Sequence, residues 1–261
     1  MTSQAGETTD SRGSASVLLN ALHVLEAFSI DQPVLGVTEI ARRVNLHKST
    51  VSRILATLEQ AGYVEREDAG GRFQLSLGLI ALAGPLLANL DVRRVAQSSL
   101  RQLTERTGET SALMVWNGHE AVVVEQVPSP KEVKHTATIG TRYDTYESSS
   151  VKVFLADLPV AEVDRLFDRR LLAGTYDEHS LESYVVELQH VREKGCAVND
   201  GRTSVEEVGV AAPIRDHRGK VVAAALLSAP RFRVPPALLE VLARDVIECA
   251  REVSARLGNT A

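Results

Sequence analysis

Residues 38–62 read TEIARRVNLHKSTVSRILATLEQAG, and their spacing decides the architecture. A short helix is predicted from about Thr38 to Val44, with Thr38 placed to cap its N-terminus and Ile40, Ala41 and Val44 as its apolar edge. After a three-residue turn a second helix opens near Lys48 and is stopped by Gly62. Its apolar positions, Val51, Ile54, Leu55 and Leu58, recur at i, i+3, i+4 and i+7, which makes one buried stripe. Ser49, Arg53, Ala56 and Gln60 fall opposite that stripe, with Ser52 on the shoulder. Short hydroxyls, one Arg and a small Ala suit a helix lying in a major groove. The guanidinium takes a guanine edge with two hydrogen bonds, and small neighbours permit close approach. Lys48 and Thr50 lie in the first turn, where cations and free amides hold phosphates. Taken alone, the same helix is equally an ordinary one with a solvated face, so its neighbours carry the decision.

Upstream, a helical pattern begins at Ser16 with Leu18, Leu22, Leu25 and Phe28 as its apolar positions, and Asp31-Gln32-Pro33 ends it. Residues 1–14 carry no apolar periodicity and read as a disordered tail. Downstream, residues 63–66 and 72–75 alternate around Asp68-Ala69-Gly70-Gly71, the pattern of a hairpin. Arg72, beside the two glycines, is placed to reach a minor groove or a backbone. Three helices and a two-stranded ribbon over residues 15–76 are the plan of a winged helix-turn-helix, whose partner is double-stranded DNA. Arg42 and Arg43 add to its positive face.

Residues 77–90 read as an apolar linker helix, followed by a second domain over 91–258. It opens with a helix at 91–107 and then changes to strand periodicity. Residues 111–116 and 121–127 flank Asn117-Gly118, a strong hairpin signal. Helices are expected at 149–156, 161–167 and 178–194, a second hairpin at 208–214 and 221–228, and a closing helix over 234–257. The fold class is therefore α+β, with a mainly antiparallel sheet suited to holding a small molecule against one face.

Composition narrows the function. Twenty-nine Lys and Arg against 34 Asp and Glu leave a net charge of −5, which by itself argues against a nucleic-acid binder. Residues 1–90 hold seven cations against nine carboxylates, yet between Gly36 and Leu55 four cations face only Glu39. The contact with DNA must then be small and oriented. Cys196 and Cys249 form no Cys-x-x-Cys pair and the seven histidines are scattered, so neither a structural metal nor a cofactor is expected. An enzyme lacks an anchor: there is no Gly-x-Ser-x-Gly, phosphate-binding glycine loop or metal cluster. No stretch reads as a secretory signal or a membrane span, so the expectation is a cytoplasmic protein without membrane partners.

The run TEIARRVNLHKSTVSRILATLEQAGYVERE, followed by GGRFQLSLGLIALA, resembles the IclR family of bacterial transcriptional regulators. The resemblance continues through GETSALMVWNGHEAVVVEQV, VREKGCAVNDG and VAAPIRDHRGKVVAAALLSAP, and covers about residues 16–257. It implies a GAF-like C-terminal domain that binds a small-molecule effector. It also implies homodimers, or dimers of dimers (homotetramers), on palindromic operators. Carried over by motif, the effector would meet backbone amides at Ser149 and Ser150 and the side chains of Asn199, Gly209, Leu226 and Ser228. For Ser148-Ser149-Ser150 plain helix capping is the other reading.

Several positions depart from the family pattern. Asp144-Thr145-Tyr146 replaces the usual Pro-Leu-His, and Val151 the Gly before Lys152. Asn199 stands where small-acid sensors have Asp, and Gly209 and Leu226 replace a Cys and a Ser. These changes remove polar groups and suggest more room, hence a larger, less polar effector such as an aromatic or branched acid. Cys196 stands where the family usually has an aromatic residue and reads as a small buried hydrophobe rather than a redox sensor.

Overall fold

The computed structural model describes residues 10–29, 31–67, 71–89, 91–136, 138–173 and 178–260. The chain divides into two compact units, residues 1–89 and 90–261.

The first unit runs α1 (Asp10–Glu26), β1 (Val34–Leu35), α2 (Val37–Arg43), α3 (Lys48–Gln60), β2 (Val64–Glu67), β3 (Arg72–Leu75) and α4 (Gly78–Asn89). Helix α1 starts at Asp10 instead of Ser16, so residues 10–14 belong to a helix and not to a tail. Once a turn exists, each added residue gains a hydrogen bond, and polar residues extend it readily. The rest of the expected tail, residues 1–9, and the wing turn at 68–70 lie outside the described residues. In α1 Val24 is buried, as is Phe28 just beyond the helix, whereas Leu18 and Leu22 are 67% and 56% exposed. The apolar stripe read from the sequence thus splits, with Val17, Leu18, Leu19 and Leu22 facing out.

Thr38 does not cap α2. The helix begins one residue before it, with Gly36 extended at the cap position and the Glu39 carboxylate accepting the Gly36 N–H at 2.7 Å. That bond places the cap at Gly36, two residues before the expected one, and it holds the Glu39 carboxyl below its usual range, helped by Arg72. The turn between α2 and α3 is four residues, 44–47, with Asn45 at a φ of 52° and Leu46 N–H donating to the Ala41 carbonyl. Asn tolerates this left-handed conformation better than most residues. Ile40, Val51, Leu55 and Val24 are fully buried and join the helices in one core. The wing has three strands in the order β1-β3-β2, since Leu35 pairs with Phe73 on the far side from Arg66. A two-residue strand is too short to show alternation, which hid β1 from the sequence. Gly78 opens α4 directly over the Gly62 carbonyl, where a β-carbon would overlap it.

The second unit contains α5 (Asp91–Thr107), β4 (Thr110–Trp116), β5 (Ala121–Val127), β6 (Arg142–Tyr143), α6 (Ser149–Asp157), α7 (Val160–Asp168), α8 (Glu178–Lys194), β7 (Ala197–Asp200), β8 (Glu207–Arg215), β9 (Val221–Pro230) and α9 (Pro236–Arg256). The strands form one antiparallel sheet in the order β6-β5-β4-β9-β8-β7. Period-two alternation sorts the sheet's side chains to two cores. Ala112, Ala211 and Leu226 meet Val151 and Leu155 of α6 and Leu188 of α8, while Leu113, Val210 and Leu227 meet Leu100 and Leu103 of α5 and Val246 of α9. The first hairpin closes through residues 117–120, not a two-residue turn: Asn117 Oδ1 accepts from the His119 and Glu120 amides, and only Gly118 has positive φ. Cys196 packs in the α5/α9 core, and burial pushes its thiol up, against a small opposing pull from Lys194. Burial likewise raises Cys249, to about 12. Both thiols are thereby held in the unreactive form.

Candidate DNA interface and effector site

The exposed side of α3 carries Lys48, Ser49, Ser52, Arg53, Ala56 and Gln60, with Thr50 half-buried, while Val51, Ile54, Leu55 and Leu58 point inward. His47 is extended at the cap position and makes no side-chain cap, so the first amides of α3 keep no side-chain partner there. Arg42, Lys48 and Arg53 make no hydrogen bond or ion pair among the described residues. Two other candidate cations are differently engaged. Arg43 donates to the Ala27 carbonyl at 2.7 Å, tying α2 to the end of α1. Arg72 donates to the Val34 carbonyl at 2.7 Å and stands 3.8 Å from Glu39. It is turned back across the sheet instead of outward from the wing. Exposed Thr38 lies in the first turn of α2.

In the second unit the expected effector residues converge. Asn199, Gly209 and Ser228 form one cross-strand row over β7, β8 and β9, which continues to Thr110 on β4. A β-carbon at Gly209 would lie 3.1 Å from Ser149 Oγ and 3.9 Å from both Asn199 Cβ and Leu226 Cδ1. The N-terminus of α6 therefore sits directly on the row. Gly209 opens no extra room, because the Ser149 hydroxyl fills the space a side chain would take. This corrects the expectation of a pocket enlarged at that position. Capping by Ser148 is also excluded: its hydroxyl bonds Ser150 Oγ at 2.9 Å and caps nothing. The leading amides of α6 are left to other partners. Ser228 Oγ, in a residue 2% exposed, has no hydrogen-bond partner. The Asn199 amide is used by its own loop, accepting from the Arg202 amide and donating to Thr203 Oγ1.

Beneath the helix end lies a charge network that the sequence reading missed. Lys152, 1% exposed, reaches Glu187 at 2.7 Å and Glu147 at 3.2 Å, and Arg202 reaches Glu147 at 2.8 Å. Burial works to raise the Glu147 carboxyl, but the hydrogen bond from Arg202 and the charge of Lys152 outweigh it and hold the group low. One signal was available: Lys152 is the lone charge within the apolar run VKVFLA. Its partner Glu187 comes from another helix and has no sequence mark. Tyr146, Phe167 and Tyr184 form a mutual edge-to-face cluster at 5.4–5.6 Å beside this network, and Tyr184 donates to the Tyr146 carbonyl. Burial raises the Tyr143 phenol to about 12, assisted by Glu207. Among the described residues no helix is long and apolar enough to cross a membrane.

A winged helix-turn-helix in one unit marks a DNA-binding protein, and the other unit is a separate α+β domain with a polar row under a helix end. Comparison with known proteins gives the family. Residues 17–68 match the IclR helix-turn-helix domain and residues 85–255 the bacterial transcriptional regulator IclR C-terminal family. The transcriptional repressor IclR of Escherichia coli (strain K12) is 27% identical over 256 residues, covering 96% of this chain and 93% of its own. A crystallised domain of an IclR-family transcriptional regulator is 50% identical, covering 65% of this chain and 98% of its own, with a TM-score of 0.63. An IclR homologue from Microbacterium hydrocarbonoxydans, solved with 4-hydroxybenzoate, shares the fold at 23% identity and a TM-score of 0.76, covering 92% of this chain and 98% of its own. The chain belongs to the IclR family and is a DNA-binding transcriptional regulator.

Proposed function

We propose that this regulator is a cytoplasmic, homodimeric repressor whose operator affinity is set by an organic acid bound at the N-terminus of α6, beside the row of Asn199, Gly209 and Ser228. The observation that carries the reading is Ser228 Oγ, buried without a partner in the same row as Gly209 and Asn199. An orphaned buried hydroxyl costs about 1–3 kcal/mol, which a ligand oxygen recovers. The uncapped amides of Ser149 and Ser150 supply the complement for a carboxylate. The ring cluster of Tyr146, Phe167 and Tyr184 supports an aromatic or branched body for the acid, and the homologue solved with 4-hydroxybenzoate is in keeping with that chemistry.

Dimerisation is supported by the apolar surface of the first unit, where Val17, Leu18, Leu19 and Leu22 of α1 and Leu77, Ile80 and Leu82 at and in α4 are all more than half exposed. Exposed leucines and isoleucine of this number suit an association site. Two copies present two α3 helices, which suits a palindromic operator. Repression accords with the name of the Escherichia coli relative. Effector occupancy would act by shifting the population of dimer geometries that match the half-sites.

The test is operator binding by fluorescence anisotropy, with and without 4-hydroxybenzoate, branched-chain acids and glyoxylate. An aromatic or branched acid is expected to change operator affinity at least about fivefold, and Ser228→Ala to abolish the response while leaving ligand-free DNA binding intact. Affinity indifferent to every acid, or a response confined to glyoxylate, overturns the reading.

A further inference from the structure

A cavity of about 620 Å3 opens at the other end of α6. Strand β7 begins at Ala197, opposite Ala211, whereas β8 runs on to Arg215, so residues 212–215 form an edge that β7 does not cover. Pro213 lies on that edge and lacks the N–H that a further strand would bond. The C-terminal ends of α6 and α8 approach the edge from one face of the sheet and α9 from the other, and the cavity lies among them. Its floor is apolar, built from Val153, Val191, Ala212, Ile247 and Ala250.

The rim is cationic. Three guanidiniums, of Arg192, Arg215 and Arg251, line it against the one carboxylate of Asp157. Arg215 bridges Asp157 at 2.9 Å and the Gly219 carbonyl at 2.7 Å. Arg192 donates to the Ala156 and Leu158 carbonyls, where it complements the negative end of α6. Arg251 is exposed and makes no hydrogen bond or ion pair among the described residues. An apolar floor of this volume with an uncommitted guanidinium at its mouth is what an amphipathic anion requires.

We propose that this cavity is a second small-molecule site, for an organic carboxylate with an apolar body of one or two rings. The ring lies on the Val153–Ala250 floor and the carboxylate pairs with Arg251. The site is separate from the one at Ser149: the two are at opposite ends of α6, roughly 12 Å apart along its axis. A ligand at either end therefore meets the same rigid element.

The full-length protein titrated with 2-naphthoate, followed by the probe's fluorescence anisotropy, tests it. Arg251→Glu removes the cation, and Ala255→Trp, at another exposed lining position, occludes the mouth. Unchanged melting temperatures without naphthoate establish that both variants fold. The expected result is a saturable binding step weakened at least about tenfold in each rim variant and unaffected by Ser228→Ala. Full affinity in both rim variants, loss of binding confined to Ser228→Ala, or no saturable binding by the unmodified protein overturns the proposal.

Discussion

Helices α3 and α6 begin in the same way and end up with different uses. Each has an extended cap residue, His47 or Ser148, whose side chain caps nothing, and each leaves its leading amides to external partners. The start of α3 is open, flanked by an exposed Lys and short hydroxyls, and nothing limits the size of the anion it meets. The start of α6 is buried to the last atom: Ser148, Ser149, Ser150 and Lys152 are all 5% exposed or less. One backbone device thus suits a polymer of phosphates where it is exposed, and a single small acid where it is enclosed. On the proposed reading burial, not the amide geometry, selects the ligand.

Exchanging a lysine at each end gives the largest contrast. Lys152→Met strips a buried cation from Glu147 and Glu187 and is expected to cost about 3 kcal/mol in chemical unfolding. Lys48→Met, at an exposed and unpaired position, is expected to stay within about 0.5 kcal/mol. Equal losses would break the contrast. Next comes recognition: Arg53→Ala is expected to weaken operator binding about 10- to 100-fold in gel-shift titration, with the unfolding of the second unit unchanged. Gly209→Ala, which forces a β-carbon to 3.1 Å from Ser149 Oγ, is expected to destabilise by about 1–2 kcal/mol. Ser149→Gly in the same chain removes the clash and should recover most of that loss in a double-mutant cycle.

Salt and pH sharpen the same comparison more gently. Lys48→Gln is expected to lower the slope of log affinity against log salt by about one, since one phosphate contact is lost. At α6 the response is to protons. Because Glu147 is held below its ordinary range in the folded chain, its ion pairs stabilise fully above about pH 4.3, and that stability disappears as pH falls through the lowered value. Urea unfolding of Glu147→Gln should therefore lose this part of the acid limb.

Legibility followed the range of the interactions. The α3 stripe, the two long hairpins and the exposed reading face were readable because periodicity within a dozen residues records which side is buried. The Gly209–Ser149 contact was not, because it joins positions 60 apart, and a missing side chain reads as vacant space until its neighbour is located. Arg43 and Arg72 illustrate the opposite error. The charge count took Arg43 as a free cation and the place beside the wing glycines did the same for Arg72, yet carbonyls of Ala27 and Val34 hold them. Leu18 and Leu22 misled for a third reason: their pattern is apolar, but from α1 the unit's own core takes Val24, with Ala21 and Leu25 packed against it, and leaves those two leucines exposed.

The two-residue strand β1 has a mechanical consequence. It hydrogen-bonds the wing to the segment that enters α2, and Leu35 is clamped at 2% exposure beside Phe73 at 3%. The hairpin is thus no loose flap but a lever whose fulcrum is the first turn of the helix-turn-helix. Strand β3 is joined through β1 to Gly36 and Glu39, at the start of the helix that packs against α3. If α3 and the wing both touch the duplex, the shared pairing and core make bending the DNA against one of them load the other.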